Sequence, residues 1–466
     1  MKKRYMTLLL AATMLSSCVL IPEYQQPETP TAATWKAGEY GIESEVDTNQ
    51  LAINIPWQEF FLSESLRDVV QLALDNNKDL QTALLNVEKS RATYNIQRAD
   101  LFPKINATGS GQFANYQPDG TPAQDLYKAG LTMPSYELDL FGRIQSLSKA
   151  ALNSYLATEE AQKSISIALI AESANTYLQL ISDIESLNFS HKTLKAQKKS
   201  RDLIMKRYQY GIATKLDIAQ VQIAVETSRT KQALYTRLVQ QDKNGLVALL
   251  GIKDFSKIPL QKSLQEVALL QEIPVGLPSQ ILLNRPDIKQ AEYQMKGAGA
   301  NIGAARAAFY PRIALTGELG YASNDLGNLF NHGVWNFGPS ISIPVFNAGQ
   351  NRARLKVAEV EQKIAVTQYE KTIQNAFREV ADQLVARDTL GEQLNAQEML
   401  VNASQNAYDL SMMRYTQGID SFLSALDAQR SLFTAQLNKI DIKRQELANK
   451  VSLYKVLGGG LSTTLE

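Results

Sequence analysis

The feature that most constrains this fold is a pair of very long segments without helix breakers. Residues 143–208 contain neither proline nor glycine, and residues 350–416 contain only Gly391. At about 1.5 Å per residue, each would form a helix roughly 100 Å long. An ordinary globular core does not hold such helices, because its helices average about three to four turns. The apolar side chains of the first segment step by three and four residues, which is typical of a coiled-coil seam. They are Ile167, Ile170, Ala174, Tyr177, Ile181 and Ile184.

The chain also repeats itself at an offset of about 207 residues. Three pairs of segments carry the repeat: Arg98–Ile105 with Arg306–Ile313, Arg207-Tyr208-x-x-Gly211 with Arg414-Tyr415-x-x-Gly418, and Leu250-Gly251 with Leu457-Gly458. Each half has the same order of predicted elements. That order is a helix, two strands, a very long helix, a glycine turn and a further helix. This period is far longer than that of a solenoid unit.

Each half adds two shorter predicted helices whose summed length matches that of its long helix. Residues 79–101 and 214–250 would span roughly 35 and 55 Å, and residues 288–309 with 421–457 give nearly the same sum. Each half therefore pairs one continuous rod with one broken rod of equal length. That geometry is typical of a tube wall.

Four predicted strands lie where the first helix of each half ends. They cover residues 104–116 and 127–140 in the first half, and 312–323 and 334–346 in the second. Apolar side chains alternate with polar or small ones, as in a wall between lipid and water. A soluble antiparallel sheet is the alternative. In the first half the alternation changes parity at Pro134-Ser135, which would fit a β-bulge.

Four strands of about twelve residues can cross a membrane, but they cannot close a barrel, since the smallest single-chain barrels have about eight strands. Open sheet edges are not tolerated in lipid. Several chains would therefore have to share one barrel. Two chains would give eight strands and three would give twelve; the spacing alone does not choose between them. No stretch approaches about 18 continuous apolar residues, so any membrane crossing should use strands.

The amino terminus has the pattern of a lipoprotein signal. Three basic residues precede an apolar run from Tyr5 to Leu15, which is too short to span a bilayer. The run ends in Leu15-Ser-Ser-Cys18, which resembles a lipobox, and Cys18 is the only cysteine. We expect residues 1–17 to be removed and Cys18 to carry a covalent lipid. Val19 follows, and outer-membrane sorting is then the default for such lipoproteins.

The predicted organisation follows from these signals. It comprises a signal peptide (1–17), a lipid-anchored extended tether (18–62), a first repeat (63–259), a connector (260–285), a second repeat (286–460) and a tail (461–466). Without the three basic signal residues, 45 basic residues face 47 acidic ones, so nucleic acid is not an expected partner. Two histidines and one cysteine cannot form a His/Cys metal cluster, and neither a Walker loop nor Gly-x-Ser-x-Gly is present. We expect neither catalysis nor a cofactor.

Over residues 57–460 the chain resembles the TolC family of outer-membrane efflux proteins, in particular its lipoprotein branch. Six segments carry the resemblance: Trp57–Phe61, Ala73–Leu80, Ser135–Arg143, Asn284–Asp287, Pro344–Asn347 and Leu423–Arg430. The resemblance implies a mostly α-helical fold with a β-barrel part, assembled as a homotrimer. A twelve-stranded barrel would lie in the outer membrane, and a coiled-coil helical barrel would extend into the periplasm. The implied partners are a periplasmic adaptor protein and an inner-membrane transporter of the resistance–nodulation–division type.

Following the family pattern, a gate is expected just after the second glycine turn. Leu423, Asp427 and Arg430 are spaced i, i+4 and i+7, so they share one helix face. On a trimer axis they would form a ring of leucines and a ring of aspartates, sensitive to salt and to neutralisation. An exposed Asp427/Arg430 pair without a gating role is the alternative. Ser424 stands where some family members carry a second acidic residue, so a double acidic ring is not expected.

The two glycine turns are the expected sites of adaptor contact. The residues concerned are Arg207, Tyr208, Gly211, Arg414, Tyr415 and Gly418. The glycines suit the left-handed residue that ends a helix, and the arginines could simply favour a helix C-terminus. Thr214-x-x-Asp217 predicts a capping box, and Asp420 is a predicted N-cap.

These observations favour the passive exit duct of a tripartite efflux pump for drugs or other small molecules. Two alternatives remain open at this stage. The same fold could export metal ions, a signalling lipid or a secreted polypeptide. Less compatible with the alternating strands is a non-conducting periplasmic coiled-coil scaffold tethered through Cys18.

Overall fold

The computed structural model describes residues 19–27, 52–113, 125–270 and 283–460. Cys18, the signal peptide and the tail at 461–466 lie outside the described residues, so their predicted roles remain predictions. The helices are α1 (Trp57–Phe60), α2 (Glu64–Asn76), α3 (Lys78–Ala99), α4 (Arg143–Gln209), α5 (Lys215–Leu250), α6 (Pro286–Ala307), α7 (Gln350–Thr416) and α8 (Phe422–Val456). The strands are β1 (Asn106–Gln112), β2 (Leu126–Leu138), β3 (Arg312–Ser323) and β4 (Gly333–Ser342). The mostly helical fold with a small sheet, predicted from the sequence, is confirmed.

The two long helices form as the missing breakers predicted. Both α4 and α7 have 67 residues, and Gly391 does not interrupt α7. Along the predicted seam of α4, the side chains from Ile167 to Ile181 are buried, and Tyr177 and Ile181 are fully enclosed. Apolar spacing in the sequence therefore identified the packed face of this helix correctly.

The strands form one antiparallel sheet in the order β1-β2-β3-β4. The register between β2 and β3 shifts between Met133 and Tyr136, so the bulge expected at Pro134-Ser135 is confirmed. Gly130 lies opposite Gly320, and a Cβ on either residue would come within 2.6 Å of the Cα of the other. Only glycine allows the two backbones to pair at this distance.

One face of the sheet exposes a row of large apolar side chains. Leu131, Leu319 and Trp335 are direct cross-strand neighbours on β2, β3 and β4, and each is more than half exposed. The next row is polar: Glu318 lies between Thr132 and Asn336 in register. The period-two alternation predicted from the sequence is therefore present across three strands.

The chain divides into two compact units. The first contains the sheet, with residues 85–160 and 289–372 and the N-terminal segment. In this unit residues 19–27 lie against α6: Tyr24 Oη donates to Glu292 at 2.8 Å, and Arg306 donates to the Leu20 carbonyl at 3.3 Å. A Cβ on Gly303 would come within 2.6 Å of Ile21, so glycine lets the segment approach the helix.

The second unit contains residues 29–84, 161–288 and 373–466, of which the described part includes both glycine turns. Its core includes Phe60, whose ring stacks on that of Tyr454 at 3.9 Å. The tether predicted over residues 18–62 is therefore wrong for residues 52–62, because Trp57, Phe60 and Phe61 are buried. Helix α2 was also not predicted.

Arg285, which precedes α6, is buried in the second unit. Its guanidinium donates hydrogen bonds to Asp287, Glu379 and the Val456 carbonyl.

Candidate functional site

The candidate site consists of the two glycine turns and the helices beside them. We call residues 210–214, between α4 and α5, the first turn, and residues 417–421, between α7 and α8, the second turn. Gly211 and Gly418 have φ values of 73° and 76°, so both are left-handed, as predicted. Nothing lies within 4 Å of a Cβ placed on either glycine. Backbone conformation, and not space, therefore requires glycine there.

The helix that follows the first turn starts with a complete capping box. The Asp217 N–H donates to Thr214 Oγ1 at 3.2 Å, and the Thr214 N–H donates to Asp217 Oδ2 at 2.7 Å. Two otherwise unpaired backbone donors are thereby satisfied within four residues. The sequence prediction for this helix start is confirmed.

The helix that follows the second turn starts differently. Its N-cap is Ser421, whose side chain makes no capping bond. The prediction that Asp420 caps this helix is wrong, because its carboxylate accepts hydrogen bonds from the Arg414 guanidinium instead. This ion pair holds the pKa of Asp420 below its ordinary value. Arg414, in the last helical turn of α7, thus pairs with a carboxylate of the second turn.

A small apolar cluster joins the two helical hairpins, of which α4 and α5 form the first and α7 and α8 the second. It consists of Ile204, Val221, Tyr415, Phe422 and Leu426. The Arg207 guanidinium lies 4.6 Å from the centroid of the Tyr415 ring, which is a cation–π distance. Tyr415 is only 9% exposed, whereas its repeat counterpart Tyr208 is 37% exposed. Tyr415, one of the predicted adaptor-contact residues, therefore packs within its own chain.

The predicted gate residues lie on α8, directly after the second turn. Leu423 is exposed, and the side chains of Asp427 and Arg430 are more than half exposed. Arg430 Nη1 lies 3.6 Å from Asp427 Oδ1, which is longer than a hydrogen bond. Leu423 and Arg430 also line a cavity of about 100 Å³ between α8 and the first hairpin. The shared face predicted from the spacing is present, and its gating role remains a prediction.

Two polar side chains on the packed faces of α4 and α5 were not identified from the sequence. The amide of Gln197 on α4 is buried at the same cavity. Further along the hairpin, Asp242 on α5 interacts with the buried Asp183 on α4, and its Oδ2 has no hydrogen-bond partner among the described residues. Burial, followed by this neighbouring carboxyl, raises the pKa of Asp242 to about 7. No local motif marks either group, because both depend on which helices pack together.

Within the described residues, no group of three or more His, Cys, Asp and Glu side chains could hold a metal ion. His191 contacts a side-chain amide, and its Nδ1 lies 2.7 Å from Gln232 Nε2. Among the described helices, none is long and apolar enough to cross a membrane.

Comparisons with known proteins agree with this architecture. The family model described as outer membrane efflux protein matches residues 69–252 and 277–459. The solvent efflux pump outer membrane protein SrpC of Pseudomonas putida is 46% identical over 463 residues, covering 97% of this chain and 98% of SrpC. A membrane protein from Pseudomonas aeruginosa has a solved structure with a TM-score of 0.88 and 40% identity, covering 95% of this chain and 100% of its own.

The open state of the Neisseria gonorrhoeae MtrE outer membrane channel is also similar. It has a TM-score of 0.86 and 35% identity, covering 95% of this chain and 98% of its own. The resemblance to TolC-type channels inferred from the sequence is thereby confirmed. The chain belongs to the outer membrane efflux protein family, and it is an outer-membrane efflux channel.

Proposed function

We propose that three copies of this chain form the exit duct of a tripartite pump of the resistance–nodulation–division type. The observation that carries the proposal is the open sheet with one apolar exposed face. Strands β1 and β4 are the two ends of the four-stranded order, so each has one edge without a partner strand in that sheet. Lipid contains no water to satisfy such an edge, so neighbouring copies must pair with it. Three copies would bring three times four strands, or twelve.

The row formed by Leu131, Leu319 and Trp335 would face the lipid in this assembly, and the Glu318 row would face the lumen. Cys18 would carry the lipid anchor. The duct would be passive, with neither catalysis nor a cofactor, because moving a molecule through a pore requires no bond to be made or broken. SrpC serves a solvent efflux pump. By this likeness the cargo would be small organic molecules delivered by the inner-membrane transporter.

The two turns would form the periplasmic tip. The adaptor protein would contact residues in and beside these turns: Arg207, Tyr208 and Gly211 at the first, and Arg414 and Gly418 at the second. Leu423, Asp427 and Arg430 would face the trimer axis as the gate. Three carboxylates around one axis repel one another unless a cation or Arg430 lies beside each of them.

Single-channel recording of the purified full-length protein in planar bilayers tests the proposal. We expect small, cation-sensitive conductance steps from the wild type, because the leucine and aspartate rings of the proposed gate would narrow the passage and attract cations. Protein that inserts into the bilayer and never conducts, even after both Leu423→Ala and Asp427→Ala, would support a non-conducting scaffold instead.

A further inference from the structure

The side chain of Gln197 on α4 holds an acceptor that nothing in its own chain satisfies. Gln197 is only 5% exposed, and among the described residues its Oε1 atom has no hydrogen-bond partner. Most buried side-chain polar atoms in folded proteins have at least one partner. A buried amide oxygen without a partner is therefore unusual, and a donor that reached it would stabilise it.

A cavity lined by Gln197 is also lined by a cationic donor. Gln197 lines the cavity of about 100 Å³ together with Thr193 on α4, Gln220 on α5, and Leu423, Gln429 and Arg430 on α8. Among the described residues that line it, Arg430 alone carries a positive charge. The lining of the cavity thus combines a residue that has an unpaired buried acceptor with a cationic donor from the helix that bears the predicted gate.

The guanidinium of Arg430 has more N–H donors than its contact with Asp427 uses. A guanidinium carries five N–H groups, and the ion-pair contact of Arg430 with Asp427 is 3.6 Å long. Both side chains of this pair are more than half exposed, so the pairing is weak. A hydrogen bond from a charged donor to a buried acceptor is stronger than one between neutral groups. Arg430 is therefore held only weakly by Asp427, and it shares a cavity with the unpaired acceptor of Gln197.

We propose that Gln197 is a positioning residue of the gate, whose Oε1 accepts a hydrogen bond from Arg430 when that side chain turns into the cavity. This inference rests on the proposed gate. The turn moves the positive charge away from Asp427. In an assembly of three copies, each Asp427 carboxylate would then lose its nearest cation, and the three carboxylates would repel one another. Occupation of Gln197 by Arg430 thus favours the open tip.

Gln197→Glu tests the proposal, because it keeps the size of the side chain and adds a charge that attracts Arg430. We expect about a tenfold shift toward the open state, the size given by one charge-assisted hydrogen bond. Single-channel open probability and vancomycin entry into cells measure it. The same substitution in an Arg430→Gln background should have no effect on either readout. Gln240→Glu, which adds the same charge on the exposed surface of α5, is the matched control.

Gln197→Met provides a second variant that buries no charge. It removes the acceptor, so Arg430 stays beside Asp427 and the open probability should fall below that of the wild type. Circular dichroism and SDS-resistant oligomer on gels confirm that each variant is folded. The two substitutions are thus expected to move gating in opposite directions, which a general loosening of the hairpin would not do.

Three results would overturn the proposal. Gln197→Glu could open the channel equally in the Arg430→Gln background, its effect could be cancelled by Gln429→Leu instead, or both Gln197 variants could leave gating unchanged. The proposed function fails separately: in that case neither the wild type nor Asp427→Ala conducts. A channel that Asp427→Ala opens and that ignores Gln197→Glu would reject this inference alone.

Discussion

The two glycine turns share one backbone and differ in the side chains that hold it. In both, a left-handed glycine ends the long helix, and the next N–H donates back to the carbonyl of Arg207 or Arg414 at 2.9 Å. The first turn then closes on itself through the Thr214–Asp217 capping box. The second has no side-chain cap and depends on the Arg414–Asp420 ion pair at the surface. An exposed ion pair is weaker than a cap and is screened by salt.

The hairpins of the two repeats also differ in what they contribute to the packing and to the exposed surface. The first hairpin has the more self-contained turn, and it supplies the buried surface against which Tyr415, Phe422 and Leu426 pack. The second hairpin bears the exposed Leu423, Asp427 and Arg430. In the proposed assembly, the second hairpin would therefore carry the gate residues and the first would support them.

Removing the charges of the second hairpin should separate the two hairpins most clearly. Asp427→Ala with Arg430→Ala should raise conductance and antibiotic entry, because no carboxylate ring and no compensating cation remain at the tip. The matched variant in the first hairpin, Asp217→Ala, should leave both readouts near the wild-type level. Equal effects from the two hairpins, or unchanged permeability in the double variant, would remove these residues from the mechanism.

The equivalent tyrosines provide the next test. Tyr415→Ala removes a buried aromatic ring that also lies under Arg207, so we expect a loss of about 3 kcal/mol in local stability. Tyr208→Ala removes a more exposed ring and should change stability by only about 0.5 kcal/mol. Hydrogen exchange of the amides around residues 410–426 measures both. Similar protection in the two variants would contradict the asymmetry between the turns.

A pH-dependent difference is expected further along the hairpins. Asp242 in the first repeat aligns with Asn449 in the second, which donates to the Gln383 carbonyl and Oε1 at 3.0 and 2.9 Å. The pKa of Asp242 is raised from 3.8 to about 7, so the folded state binds the extra proton. Stability should therefore fall as pH rises from about 4 to 7, and stay level above that range.

Asp242→Asn makes the first repeat like the second at this position. It should flatten the dependence of the thermal midpoint between pH 5 and 8 and raise the midpoint at pH 8, as followed by circular dichroism in detergent. Asp202→Asn, at a more exposed position on α4, is the control. If the thermal midpoint of the Asp242→Asn variant still fell with pH over this range, the Asp183–Asp242 pair would not be the cause of the pH dependence.

The smallest expected effect concerns the helix caps. Thr214→Ala removes a capping bond and should destabilise the start of α5 by about 1 kcal/mol. Ser421→Ala removes a side chain that makes no capping bond, so its effect should be only a few tenths of a kcal/mol. Amide exchange at the first turn of each helix distinguishes them. A larger loss for Ser421→Ala would mean that Ser421 caps α8 after all.

The sequence predicted what depends on local pattern and spacing. The lengths of α4 and α7, the four strands, the bulge after Met133 and the left-handed Gly211 and Gly418 all follow from breakers and periodicity. It predicted Asp420 wrongly because a capping motif does not reveal that Arg414, six residues earlier, competes for the carboxylate.

What the sequence could not supply depends on contacts between distant segments. Residues 57–61 look like part of an extended tether until Tyr454 is known to lie against Phe60. Gln197 and Asp242 look like ordinary surface residues until the helices beside them are placed. For the gate, the pattern and the resemblance provide the residues Leu423, Asp427 and Arg430, and their arrangement around an axis depends on further copies of the chain.

The number of copies that share the sheet is therefore the most direct test of this account. Native mass spectrometry of the full-length protein, extracted from outer membranes in detergent, measures it without reference to gating or cargo. We expect an assembly of three chains, in which the edges of β1 and β4 pair between copies and close the sheet. A stable single chain that stays in solution after the detergent is removed would contradict it.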